Sequence, residues 1–473
     1  MYLFYFSFHI IYILVINLVP LTNQEVYKLL NKENARNEAF RNANPQFELD
    51  NSNIASTISE IEYFENLYSN MSIGIHEFNE KDFTFKRVDR YTFQDIFSDK
   101  WSSFTQDNPD ISIRDVVLEE VEKMMHCQDP ASGHATYECP KCHESFCVPF
   151  TCKSRFCNTC GIKYQMDRAF RISTKLVNCT HRHMVFTIPE ELRCYFRKYR
   201  VDLLNILFLS VEDTVLSYFR NSFPSKKVIP GLVLVLHTFG KDLKWNPHIH
   251  ILVTEGGSSN IKKCSINDVW ITNTYFNYTY LRKGFLGVLL KLMKSYLQPI
   301  LSEKDFETFT KLCRYLYNHY KDGFYVRAKP PFKGNTEAAV KYLIRYFNRP
   351  VMAQTHILYY DDTHVVFYYQ RHEDNLYVIE KILVYDFFER LIIHIPDKDF
   401  KMLRYAGIYS SHKCVHWDKL IKKLSDIAIK TKKMFNNWRY RIELSFKYDP
   451  LKCPFCNNST MTLSDIFIAK PPP

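Results

Sequence analysis

Residues 231–254, GLVLVLHTFGKDLKWNPHIHILVT, indicate the fold of this 473-residue chain. Two nearly unbroken apolar runs flank the polar loop GKDLKWNP, and they predict two strands in the middle of a well-buried sheet. Alternation along the second strand places His248 and His250 on the same face and turns the intervening isoleucine into the core. Two imidazoles at that spacing can share one divalent ion, although an isolated His-x-His is more often structural.

The segments around these two strands mix helix and strand patterns. Apolar residues at three-to-four spacing predict helices, and short apolar runs predict strands. In chain order the predicted elements are a helix pair over 91–125, a strand at 182–189, a helix over 192–220, helical residues 280–320, a strand at 324–328, a helix over 335–347, and a hairpin over 356–370 that turns at Asp361 and Asp362. This mixture predicts an α+β fold.

The composition favours a folded protein of several domains with an acidic partner. Hydrophobic residues make up 46% of the chain and aromatic residues 16%, which excludes general disorder. The length is too great for one compact domain. The 62 Lys and Arg against 51 Asp and Glu give a net charge of +11, which suits a partner such as nucleic acid.

Half of the 14 cysteines lie between Cys127 and Cys160, several of them in C-x-x-C pairs. Such clusters in a long chain indicate metal ligands in a reducing compartment rather than disulfides. The pairs Cys139-x2-Cys142 and Cys157-x2-Cys160 predict a structural zinc site, because each pair sets two thiolates on one tight turn. A different ligand choice or a second ion stays open, since further candidates lie close by: Cys127, His134, His143, Cys147 and Cys152.

A last pair, Cys453-x2-Cys456, lies near the end of the chain and has no obvious partner pair in the sequence. His412, Cys414 and His416 are the nearest candidates to complete it. The sequence leaves open whether this pair binds a second zinc ion.

The segment KYLIRYFNRP carries Tyr342 and Tyr346 four residues apart on a predicted helix. That spacing places both hydroxyls on one helix face, about one turn apart. Lys341, Arg345 and Arg349 surround them with positive charge, which favours contact with DNA phosphates. The alternative is an aromatic stripe packed into the core, which the spacing alone would favour.

Taken together and in this order, three blocks resemble one family. FTCKSRFCNTCG (150–161), LHTFGKDLKWNPHIHILV (236–253) and YLIRYFNRP (342–350) are similar to motifs of the rolling-circle insertion-sequence transposases. These proteins join an N-terminal zinc-binding domain to a two-tyrosine HUH endonuclease domain, named after its His-hydrophobic-His motif. RYAGIYSSH and CPFCNNSTMTL also resemble the C-terminal region of the family, so the likeness spans roughly residues 90–465.

The resemblance implies an antiparallel-sheet HUH core with helices, preceded by a small cysteine-rich zinc-binding domain. It implies that Tyr342 and Tyr346 are the catalytic nucleophiles, which nick single-stranded DNA at transposon ends through a 5′-phosphotyrosine intermediate. It also implies that His248 and His250 bind the catalytic ion, for which we expect Mg²⁺ or Mn²⁺. No motif specifies the third ligand, and His237 on the neighbouring strand is the candidate for it.

The expected partners are single-stranded and double-stranded DNA at transposon ends, with host replication proteins as further candidates. We expect no small-molecule substrate, no membrane contact and a cytoplasmic, nucleoid-associated protein. Two alternatives stay open: a plasmid replication initiator or relaxase with the same chemistry, and a zinc-dependent DNA-binding regulator without catalysis. The basic amphipathic segment 418–441 suits a DNA backbone, a membrane surface or solvent, and we favour DNA.

The predicted domains are an N-terminal extension at 1–85, a zinc-binding DNA-recognition domain at 86–175, an HUH nuclease and strand-transferase domain at 176–412, and a basic helix with a C-x-x-C tail at 413–473. The first 24 residues contain no charged side chain. They are compatible with a membrane anchor or a signal peptide, and we favour instead a start codon assigned upstream of the true one.

Overall fold

A computed structural model gives the structure of the chain. It describes residues 65–78, 91–161, 179–258, 270–328, 350–371, 374–410, 451–456 and 460–468, together with a few single positions between these ranges. The chain divides into two compact units, Met1–Leu67 and Tyr68–Pro473, and the elements below all belong to the second unit. The uncharged N-terminal segment, the predicted helix over 335–347 and most of the basic segment 418–441 lie outside the described residues.

The described strands are β1 (Gly74–Phe78), β2 (Gly133–Glu138), β3 (Ser145–Pro149), β4 (His181–Thr187), β5 (Ile229–Phe239), β6 (Trp245–Ser258), β7 (Trp270–Thr272), β8 (Val326–Ala328), β9 (Ile357–Tyr360), β10 (His364–Gln370), β11 (Tyr377–Leu383), β12 (Leu403–Gly407) and β13 (Thr462–Ile468). The described helices are α1 (Phe93–Asp107), α2 (Asp115–Met125), α3 (Arg193–Lys198), α4 (Arg200–Ser222), α5 (Tyr278–Leu297), α6 (Glu303–His319) and α7 (Val384–Ile392).

A central antiparallel sheet is built around the two strands that the sequence predicts. Its order is β12-β5-β6-β4-β8, and β7 pairs with the last residues of β6. Opposite Leu234 lies Ile251, and opposite His237 lies His248. The predicted strand pair and the α+β fold are therefore confirmed, and the two apolar runs lie in the interior of the sheet.

The helices cover one face of the central sheet. On this face the side chains of β5 and β6 alternate inwards as Leu232, Leu234 and Leu236 and as Ile249 and Ile251. The apolar stripe of α4 packs against them, and those of α5 and α6 extend the same core, with buried residues at three-to-four spacing along each helix. The opposite face carries His237, His248 and His250, and beyond them a small apolar cluster: Val233, Val235, Leu252, Ile408 and Tyr409.

A second core joins α1 and α2 to a four-stranded antiparallel sheet of order β1-β11-β10-β9 and to α7. Helix α1 begins at a capping box in which Thr92 and Asp95 exchange hydrogen bonds, so the first free N–H groups are satisfied. The ring centroids of Phe97 and Phe388 lie 4.2 Å apart, and Phe156 also contacts Phe97. Residues on both sides of the predicted boundary at 175/176 thus share one core, while the four-domain division stays a prediction.

A third, small sheet has the order β13-β2-β3. Its outer strand comes from the end of the chain, with Phe467 opposite His134 and Leu463 opposite Tyr137. Nothing in the sequence predicts this pairing, since the two strands are separated by more than 300 residues. Among the residues that the structure describes, no helix is both long and apolar enough to span a bilayer.

Candidate active site and zinc centres

Three histidines meet on the face of the central sheet that lies opposite the helices. His237 lies on β5 opposite His248 on β6, and His250 follows two residues later on the same face. The Nε2 atoms of His248 and His250 are 3.1 Å apart. Each of the three histidines has one ring nitrogen that lies within 4.8 Å of a ring nitrogen of both other histidines. Two adjacent strands therefore present three nitrogen donors to one point.

Hydrogen bonds orient two of these rings. The Nδ1 atom of His248 donates to the carbonyl oxygen of Asn246 over 2.7 Å, which leaves the lone pair of Nε2 directed at the cluster. The Nδ1 atom of His250 lies 2.9 Å from Nε2 of His183, a buried residue of β4. Such outer contacts fix the tautomer and the ring orientation of a metal-binding histidine. The sequence motifs do not include His183, and only the pairing of β4 with β6 brings it here.

Burial favours the neutral form of His248. Desolvation lowers the pKa of His248 to about 4, the hydrogen bond to Asn246 opposes this shift, and the charge of Arg193 adds to it. A neutral imidazole is the form that binds a metal ion. The three donors therefore fit a divalent cation that keeps further positions for oxygen ligands such as a phosphate.

Four cysteines form a first buried cluster beside α1 and α2: Cys127, Cys152, Cys157 and Cys160. The Sγ atom of Cys160 lies 3.7 Å from that of Cys127 and 3.5 Å from that of Cys152. Hydrogen bonds among the four thiols lower the pKa of Cys160 and raise the pKa values of Cys152 and Cys157. Four cysteine sulfurs at these distances are the donor set of a structural zinc site.

A second cluster joins Cys139 and Cys142 to Cys453 and Cys456. Sγ of Cys139 lies 3.6 Å from Sγ of Cys456, and Sγ of Cys142 lies 3.7 Å from Sγ of Cys453. Backbone N–H groups of Cys142 and Lys141 outweigh desolvation and lower the pKa of Cys139 to about 6. This cluster too has the donor set of a structural zinc site.

Comparison with known proteins finds similar transposases and two matching domain families. The chain is 26% identical over 363 residues to the transposase for insertion sequence element IS801 of Pseudomonas savastanoi pv. phaseolicola, a match that covers 73% of this chain and 82% of that protein. It is 25% identical over 357 residues to the putative transposase y4qJ of Sinorhizobium fredii (strain NBRC 101917 / NGR234), covering 72% and 87% of the two chains. Residues 96–188 match the transposase zinc-binding domain, and residues 231–416 match the putative transposase domain. The chain is therefore similar to insertion-sequence transposases over most of its length. No solved structure matches it.

The residues covered by the two domain matches include the side-chain clusters seen in the structure. The zinc-binding match contains the whole first cysteine cluster, and the transposase match contains the three histidines and the segment with the paired tyrosines. Structural zinc is thus supported both by the family of the domain and by the thiol clusters. Cys453 and Cys456 lie outside both matches.

The grouping of the cysteines predicted from the sequence needs correction. Cys139, Cys142, Cys157 and Cys160 do not form one site, because the structure divides the two pairs between two clusters. The turn with Cys157 and Cys160 faces the end of α2, whereas the turn with Cys139 and Cys142 connects β2 to β3 and faces the C-terminal segment. A C-x-x-C spacing defines the local turn but not the partner turn.

The remaining predicted site residues are placed as follows. Tyr342 and Tyr346, with Lys341, Arg345 and Arg349, lie outside the described residues. His412, Cys414 and His416, the candidate partners of Cys453 and Cys456, also lie outside them, and the structure provides Cys139 and Cys142 instead. His134, His143 and Cys147 belong to neither cysteine cluster.

Proposed function

We propose that this transposase nicks and rejoins single-stranded DNA at the ends of its insertion sequence through a 5′-phosphotyrosine intermediate. The observation that carries the proposal is the convergence of His237, His248 and His250 on one face of the central sheet. The match of residues 231–416 to the putative transposase domain supports a role in DNA strand transfer. Rolling-circle transposition is the reaction that fits a pair of nucleophiles.

The three histidines would hold the catalytic ion through Nε2 of His248, Nε2 of His250 and one ring nitrogen of His237. When bound, such an ion acts as a Lewis acid on the scissile phosphodiester. Three nitrogen donors favour Mn²⁺ over Mg²⁺, because Mg²⁺ prefers an all-oxygen shell. His183 would hold the ring of His250 in place through the contact to Nδ1.

Tyr342 and Tyr346 are the proposed nucleophiles. The oxygen of one tyrosine loses its proton and attacks the phosphorus, a tyrosine–phosphate ester forms, and the bond to the 3′ oxygen breaks. That oxygen takes up a proton and becomes a free 3′-OH that can prime replication. In the second step a 3′-OH attacks the phosphotyrosine, which restores the DNA backbone and the tyrosine. The second tyrosine would serve the later transfer.

The DNA contacts belong to the same proposal. Lys341, Arg345 and Arg349 would bind phosphates beside the nucleophiles, and the zinc-binding domain would recognise duplex DNA at the transposon ends. The segment 418–441 adds eight Lys and Arg against two Asp. We place the reaction in the cytoplasm, at the nucleoid, with host replication proteins extending the released 3′-OH.

The test uses purified protein, Mn²⁺ and labelled single-stranded oligonucleotides from both ends of the element. We expect a covalent protein–DNA adduct that survives denaturing electrophoresis. The double change Tyr342→Phe and Tyr346→Phe should abolish it, and His248→Ala should reduce it by about 100-fold or more, in line with losing a metal ligand. Tyr275→Phe, at a tyrosine with 72% exposure, is the control and should react like the unmodified protein.

An adduct that persists in the double tyrosine variant would refute the assignment of the nucleophiles. Tight, end-specific binding without any adduct would identify the protein as a DNA-binding regulator instead. A nick confined to a plasmid origin, with no reaction at the element's ends, would favour a replication initiator.

A further inference from the structure

The geometry points to a second structural zinc site, formed by Cys139, Cys142, Cys453 and Cys456, through which the C-terminal segment completes the zinc-binding domain. The domain match ends at residue 188 and the transposase match at residue 416, so neither assigns a role to Cys453 or Cys456. This inference does not depend on the chemistry proposed for DNA strand transfer.

The sulfur positions suit one tetrahedral ion. A zinc–sulfur distance of about 2.3 Å requires neighbouring sulfurs of a tetrahedron to lie about 3.8 Å apart. The two cross-pairs, Cys139 with Cys456 and Cys142 with Cys453, are separated by 3.6 and 3.7 Å. Disulfide-bonded sulfurs would lie at only about 2.05 Å. The spacing therefore fits four thiolates around a cation and not two disulfides.

Both halves of the site have the same local sequence. Cys139-Pro-Lys-Cys142 and Cys453-Pro-Phe-Cys456 are each a Cys-Pro-x-Cys turn. After the first turn the backbone of His143 has a φ of 57°, and its N–H donates to the carbonyl oxygen of Cys139 over 2.8 Å. Such tight turns let two thiolates of one pair face the same ion. Two matching turns that face each other are what a four-cysteine zinc site requires.

The apolar core around this site is too small to hold the segment alone. Among the described residues, the cluster buries Cys139, Cys453 and Met461, and two of these three are proposed ligands. Every residue of β13 is exposed, and its one described pairing is the ladder with β2. Sheets of this size need a further link such as a metal ion for stability. Zinc would provide that link.

The neighbouring backbone aligns the two halves. Thr462 lies opposite Glu138, directly before Cys139, and the N–H of Met461 donates to the carbonyl oxygen of Leu451 over 3.0 Å. This bond closes the loop that carries Cys453 and Cys456. The ion would thus connect residues more than 300 positions apart and tie the end of the chain to the β2–β3 hairpin. The functional zinc-binding domain then includes residues 451–468.

The test measures zinc content in full-length protein that carries His248→Ala as the parent, because the three histidines would otherwise bind a zinc ion of their own. We expect two zinc ions per chain, one for each cysteine cluster. The double change Cys453→Ser and Cys456→Ser should lower this to one. Cys147→Ser is the matched control, since Cys147 is an exposed cysteine of β3 outside both clusters, and it should keep both ions.

A ligand swap separates loss of a ligand from failure to fold. Cys456→His keeps a zinc-binding group, so this variant should retain two zinc ions. After replacement of zinc by Co²⁺, its cobalt spectrum should shift relative to that of the parent protein. One ion in the parent protein, two ions in the double serine variant, or one ion with an unshifted cobalt spectrum in Cys456→His would each overturn the inference.

Discussion

His183 belongs to none of the sequence motifs, yet it contacts one of the histidines of the candidate metal site. It lies two positions after His181 on β4, and both side chains are almost fully buried. The ring nitrogens of His181 form hydrogen bonds with the carbonyl oxygen of Cys179 and the hydroxyl of Tyr409. His183 instead contacts Nδ1 of His250. The two histidines of this strand thus have different hydrogen-bond partners, and only His183 contacts a proposed metal ligand.

His183→Gln should weaken Mn²⁺ binding by about 10- to 100-fold, because His250 loses the contact that orients its ring. Calorimetric titration of Mn²⁺, together with the Mn²⁺ dependence of adduct formation, measures this effect. His181→Gln serves as the control and should lower the midpoint of thermal unfolding without changing the Mn²⁺ affinity. Equal Mn²⁺ affinities in the two variants would show that His183 has only a packing role.

At the scale of elements, the end of β12 lies unusually close to the neighbouring strand β5. Gly407 has a φ of 60°, and a Cβ atom added there would lie 1.8 Å from the carbonyl oxygen of Pro230 on β5. The next residue, Ile408, donates its N–H to that same oxygen. Glycine is thus required twice, for its left-handed backbone and for the missing side chain. The close approach lets β12 pair with β5, the strand of His237.

Gly407→Ala should lower the free energy of unfolding by about 2 to 4 kcal/mol, since both the backbone and the contact with Pro230 must shift. Denaturant unfolding followed by circular dichroism measures the loss. Gly287→Ala is the matched control, because Gly287 lies within α5 with no atom within 4 Å of an added Cβ. That change should be neutral or should stabilise by up to about 1 kcal/mol. A similar loss in both variants would contradict the role assigned to Gly407.

At the scale of the whole molecule, the zinc-binding segment and the four-stranded sheet share one hydrophobic core. A chain of aromatic contacts runs from Phe388 on α7 through Phe97 on α1 to Phe156, which directly precedes Cys157. The first cysteine cluster is therefore part of a core whose other half lies about 230 residues later in the chain. Packing in that half should therefore affect the rate at which the first cysteine cluster releases its metal ion.

Phe388→Ala should destabilise the protein by about 3 to 5 kcal/mol and speed the release of one zinc ion to a chromogenic chelator. Phe285→Ala is the matched control, because Phe285 is equally buried in the core of the central sheet. It should cost about the same stability, while zinc release from the first cluster stays slow. If both variants release zinc at the same rate, the coupling through the second core is refuted.

The sequence by itself determined the features that depend on neighbouring residues. The apolar runs around GKDLKWNP specified β5 and β6, and alternation placed His248 and His250 together, because side-chain direction in a strand follows from position alone. The Cys-x-x-Cys turns and the hairpin at Asp361 are local in the same sense. The order of three motifs also indicated the resemblance to transposases, while the roles of Tyr342 and Tyr346 stay predictions.

Only the tertiary structure decided which distant residues meet. Cys157 and Cys160 face Cys127 and Cys152, Cys139 faces Cys456 across more than 300 residues, and His183 reaches His250 from a third strand. Each of these contacts follows from strand pairing and core packing, and spacing along the chain carries no information about either. The physical reason is that a tight turn or an alternating strand forms from a few adjacent residues, whereas a metal site takes its ligands from whichever turns the fold brings together.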